Sequence, residues 1–261
     1  MSIANKLQSL PKNAIYGILI LCTSVPLFFK IPMPNNPDQP SKDFFRETMT
    51  LDPSRPVLLA SDWTNSTRGE SKAHMKSLLR MFMRRGQKFA LYSTADPQAP
   101  QVALDVIAEV NREREKKQQT PYKRFEDYVV LGYFPNAEAA INGLANDFKS
   151  TVKGRKDFPV GKEATDVFQS PVMKNVDSIK DFQMVFVITA SKTSNFTVER
   201  VYGKTKLAFA VTGVMGPETQ VYYQSKQLVG FVNGLKGAFD IEQLMEKGLN
   251  VDSSASFRDD K

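Results

Sequence analysis

The densest run of ionisable and hydroxyl side chains in the sequence is Asp62-Trp63-Thr64-Asn65-Ser66-Thr67, with Glu70 three residues further on. Oxygen donors at alternate positions suit a hard divalent cation, and the two carboxylates suit metal ligation or the positioning of a water. Asp96, in the next strand-end loop, is a further candidate. The same residue types also start helices, and Thr67 with Glu70 has the S/T-x-x-E spacing of a capping box, which needs no ligand.

The spacing Asp62-x-Thr64-x-Ser66 resembles the D-x-S-x-S loop of von Willebrand A-like domains, where a carboxylate and two hydroxyls hold Mg²⁺ with water. Thr64 stands where that loop has serine, and Thr94, Asp96 and Thr189 are the residues needed from other loops. A divalent cation is therefore the one cofactor the sequence suggests. No G-x-G-x-x-G follows the first strand, and there is neither a P-loop nor a G-x-S-x-G elbow. His74 is the only histidine and Cys22 the only cysteine, which argues against a Ser-His-Asp hydrolase and a cysteine zinc site. His74 reads as an ordinary surface or half-buried residue, and the sequence leans away from an enzyme.

These loops need a scaffold, and the patterning supplies one. Apolar runs PVLLASDW, KFALYS, DYVVLGY, MVFVITA and KLAFAVTG alternate with helical segments. The spacing predicts a doubly wound, mostly parallel, Rossmann-like α/β domain of five strands over residues 56–248, in the order 3-2-1-4-5. In such a sheet ligands sit at the carboxyl ends of the strands, here the loops 61–69, 93–99, 134–136, 190–195 and 212–218. Residues 153–181 show no period and read as an excursion across the surface.

Residues 217–248 read as helical. Gly230, Gly234 and Gly237 recur at spacings of four and three, which places them on one helical face. That face packs against the sheet or forms a groove for a partner helix, and the three glycines are the interaction candidates.

Residues 14–29, AIYGILILCTSVPLFF, carry no formal charge. With residues 30–33 they reach the length of a membrane span, so 14–33 is expected to be an uncleaved signal anchor after a short basic segment, 1–13. A removed signal peptide fits less well, because no small-x-small site follows. Prolines 32, 34, 37 and 40 make residues 34–55 a stalk with a short helix, and 249–261 read as a disordered tail. The body is expected outside the cytoplasm.

The formal charge is +7. Its cations gather at helix ends, Arg80, Arg84 and Arg85 on one helix and Arg112, Arg114, Lys116 and Lys117 on the next. That placement suits helix dipoles, and with no recognisable nucleic-acid module it reads as a solvated face.

Taken together, SDWTNSTRGE, DYVVLGYFPN and YYQSKQLVGFVNGLKGAFDIE resemble an uncharacterised family of bacterial and archaeal membrane-anchored proteins with one N-terminal span and an α/β domain. The resemblance implies the anchor and the fold and assigns no residue a role. The resulting expectation is a non-enzymatic interaction subunit of a larger membrane complex, with a membrane-protein partner or a second copy of itself. The alternative is a ligand- or metal-binding domain, sensor or metal-assisted hydrolase, at the strand-end loops.

Overall fold

The structure is a computed structural model and describes residues 11–28, 36–161 and 163–248. The chain divides after Asn36 into two units. In the first, α1 (Lys12–Phe28) has 17 residues, about 25 Å at the helical rise. That is short of the roughly 30 Å of a hydrocarbon core, and Pro26 falls in its last turn. Among the described residues no helix is long and apolar enough to cross a membrane. The expectation of a spanning anchor, and of a single-pass membrane protein, is corrected accordingly. Residues 29–33 of that expected span, and the tail 249–261, lie outside the described residues.

The second unit opens with α2 (Gln39–Met49), whose first turn Asp38 caps by accepting from Ser41 N at 2.9 Å. Then follow β1 (Val57–Asp62), α3 (Arg68–Arg85), β2 (Phe89–Ser93), α4 (Ala99–Lys116), β3 (Tyr128–Tyr133), α5 (Ala137–Asn146) and α6 (Phe148–Val152). A short hairpin of β4 (Lys156–Asp157) and β5 (Thr165–Asp166) precedes β6 (Met184–Thr189), α7 (Ser194–Val201), β7 (Lys206–Val211), α8 (Gly216–Gln224), β8 (Gly230–Asn233) and α9 (Gly234–Lys247).

Six parallel strands form one sheet in the order β3-β2-β1-β6-β7-β8. The five expected strands and their order stand, and β8 adds a sixth at the edge. The helical expectation for 217–248 fails there. A sharp turn at Gly234, φ +58, ends the strand and starts α9, so Gly230, Gly234 and Gly237 do not share a helical face.

Alternation along the strands divides the core into two layers. Val57, Leu59, Phe186 and Val232 pack under α2, α3, α4 and α9, with Phe44, Phe82 and Ile241. Leu58, Ala60, Val187 and Phe209 pack under α5, α6 and α7, with Ile141, Phe148 and Val198. The segment 153–181 is not a surface excursion, since Val167, Val172, Met173, Val176 and Ile179 are buried in this second layer. Its hairpin also shields the edge of β3, where Asp157 accepts from Val130 N at 2.9 Å and pairs with Arg124.

A ladder of ion pairs ties the first-layer helices together. Lys72 and Lys76 hold Glu109, and Lys76 and Arg80 hold Glu113. Hydrogen bonds from Lys72 and then Lys76 depress the Glu109 carboxyl to about 2.

Candidate functional site

β1 and β6 lie side by side, with Asp62 opposite Thr189. The chain leaving β1 enters α3 on one layer, and the chain leaving β6 enters α7 on the other. The two loops therefore diverge and open the switch-point crevice at which doubly wound sheets take their ligands.

Asp62 is 3% exposed. One carboxylate oxygen accepts from Thr94 N at 2.6 Å and Ser93 Oγ at 3.2 Å, and the other accepts from Thr94 Oγ1 at 3.0 Å. Burial raises its carboxyl above the usual range, against the opposing pull of these donors. Asp62 thus ties the end of β1 to the loop after β2. Thr64 Oγ1 and Ser66 Oγ pair with each other at 2.7 Å, while Thr67 Oγ1 turns back to Thr64 N. Asp96 accepts from Gln98 N at 2.7 Å, just before α4. Among the described residues no three His, Cys, Asp or Glu side chains are grouped to hold a metal ion.

Glu70 departs from its expected local role. It accepts from Gly213 N at 2.7 Å, in the loop after β7, and Thr67 makes no side-chain cap to α3. One turn on, His74 is 1% exposed rather than half-buried. Its Nε2 lies 2.8 Å from the Gly234 carbonyl; the carbonyl can only accept, so Nε2 carries the proton. Burial lowers the His74 pKa. Glu70 and His74 therefore fix the turns that follow β7 and β8.

No family model matches the chain. No curated protein and no solved structure matches it either. The resemblance to a family of membrane-anchored proteins is corrected on that ground, and the missing span removes its other support.

What the sequence does not display is a set of polar atoms closed off from solvent without a hydrogen-bond partner. On or beside the strand ends these are Ser61 Oγ, Trp63 Nε1, Thr193 Oγ1, Asn195 Oδ1, Thr212 Oγ1 and Asn233 Oδ1. Each belongs to the end of β1, β6, β7 or β8, or to the turn or helix start that follows. Asn195 donates its Nδ2 to Glu218 at 2.8 Å, which leaves its oxygen as the unpaired atom. Asn233 lies against Gly216, where a Cβ would sit 2.3 Å from its amide nitrogen. Ser61, Thr193, Asn195, Thr212 and Glu218 fall within the strand-end loops read from the sequence, whereas Asn233 lies outside them. Hydroxyls and amides in this arrangement can orient a polar molecule by hydrogen bonds.

Proposed function

We propose that the domain is a binding module for a small polar ligand. The ligand enters at the carboxyl edge of the sheet, between the segments 61–67 and 190–195. One observation carries this reading: unpaired, buried polar atoms gather at the ends of four adjacent strands. Leaving such a group unpaired costs about 1–3 kcal/mol, and a ligand that supplies the partners recovers that energy. Because the atoms are closed off, the two segments part as the ligand enters.

Thr212→Val keeps the shape of a 6% exposed side chain and removes its unpaired hydroxyl. It is expected to raise the unfolding free energy by about 1 kcal/mol. In a thermal-shift screen of polar metabolites, a true ligand stabilises the wild type and fails to stabilise Thr193→Val/Thr212→Val. A loss of stability in Thr212→Val, or ligands indifferent to the double substitution, sinks the reading.

A second reading keeps an interaction role and moves it to a different surface. Leu235 and Phe239, four residues apart on the outside of α9, are 57% and 59% exposed, and Val214 is 84% exposed. The turn at Gly234 lies close to the backbone of Gly213, the residue before Val214. An apolar patch of this kind favours association with a second copy of the chain. Sedimentation equilibrium should then show a dimer that Leu235→Asp/Phe239→Asp dissociates, whereas a monomer at all concentrations rules it out.

A further inference from the structure

The cations that crowd the helix ends meet at the opposite end of the sheet from the proposed ligand site. α3 ends at Arg85, α4 at Lys116 and α9 at Lys247, and these ends enclose a cleft of about 720 Å³. Its floor includes Met83, Val110 and Met245, all buried. Its walls bring Arg80 and Arg84 of α3 together with Arg114 and Lys117 at the end of α4. The volume lies within the usual range of small-molecule sites.

The charges in the cleft do not cancel. Of its three acids, Glu113 and Glu242 are held by Arg80 at 2.7 and 2.6 Å, and Glu113 also takes Lys76 at 2.6 Å. Only Glu246 stands outside these pairs. On the cation side, Arg84 donates to the carbonyl of Met245 at 2.9 Å, so helix-end compensation accounts for it. Arg114 and Lys117 also sit at a helix end, but among the described residues neither donates its side chain to a carbonyl of that helix. Arg114 donates its Nε to Thr120 O at 2.8 Å, beyond its own helix, which fixes the guanidinium and leaves its two terminal nitrogens for a ligand. Lys117 makes no side-chain bond among the described residues.

We infer that this cleft binds a small polyanion, a molecule with closely spaced oxyanions, through Arg114 and Lys117. A planar guanidinium beside an ammonium matches a carboxylate or phosphate cluster better than it matches a neutral molecule. The apolar floor limits the water that competes for these cations. This site is separate from the carboxyl edge and does not depend on it.

The test is calorimetric titration of the full chain at low ionic strength, with citrate in one arm and tripolyphosphate in the other. Saturable binding in at least one arm is expected, and the arm that responds separates a polycarboxylate from a polyphosphate. Arg114→Glu/Lys117→Glu should weaken it about tenfold or more, and Lys117→Glu, which breaks no bond in the structure, by severalfold. Added salt should weaken it further. No saturable binding in either arm, or equal affinity in the charge-reversed variants, overturns the inference.

Discussion

Gly230→Ala is expected to lower the unfolding free energy by about 3 kcal/mol, the upper range for an overpacked site. The added Cβ would lie 2.3 Å from Phe44 N, 2.6 Å from Phe44 Cα and 3.0 Å from Asp43 C. All three are backbone atoms of α2, so no rotamer change relieves the clash. The helix has to lift from β8, and with it go Phe44, Phe45 and Met49, all at 3% exposure or less. Gly143 supplies the contrast. There the crowding atoms belong to the side chain of Thr151 and not to the backbone. A urea midpoint for Gly230→Ala within experimental error of the wild type would contradict this account. Gly237 is also committed inside the fold, since a Cβ there lies 3.0 Å from the Val232 backbone. Replacing Gly234 by Leu, as a test of the expected glycine-faced groove for a partner helix, would place a branched side chain at φ +58, so any loss of assembly would report strain in the monomer.

Asp62→Ala is expected to cost about 2–4 kcal/mol, because it strands the amide of Thr94 and the hydroxyls of Thr94 and Ser93 in a buried site. Asp62→Asn is the more informative change. Burial raises the folded-state pKa of Asp62 above its unfolded value, so the native state binds the proton more tightly than the unfolded chain. The associated stability is complete below the ordinary carboxylate range and is lost as pH rises through the elevated folded value. Asparagine does not titrate. The stability difference between wild type and Asp62→Asn, measured by denaturation from pH 3 to pH 8, should therefore shift against the wild type as pH rises. A flat difference would show that the hydrogen-bond donors balance burial, and one that moves in favour of the wild type that they outweigh it.

Much of the fold was legible because five strands are buried on both faces and read as continuous apolar runs. VLLASD and MVFVIT have no residue exposed to water. The sixth was hidden for a physical reason. Gly230-Phe231-Val232-Asn233 is four residues long, and its glycine answers to Phe44, 186 positions earlier in the chain. The glycine spacing mimicked a helical face, and no local rule reveals a contact of that range. The candidate site divides along similar lines. A carboxylate at the end of β1 was legible, but its partners, Ser93 and Thr94, depend on the β1–β2 register. Glu70 follows a capping pattern and yet serves Gly213, because the neighbouring turn offers an amide that its own helix does not. Asn233 could not be placed while β8 was read as helix.

The pairing of β1 with β6 has a consequence for how the molecule is made. Leu58 and Val185 are register partners, separated by 185 − 58 = 127 positions. At about 5–20 residues per second of synthesis, one side of β1 stays without its partner strand for roughly 6–25 s after it emerges. During that interval β1, β2 and β3 can pair through their short crossovers, leaving an apolar strand edge open on the nascent chain. The half of the sheet that ends at Asp62 thus waits for the half that completes the ligand edge. Chaperone demand should be greatest before residue 189 leaves the ribosome.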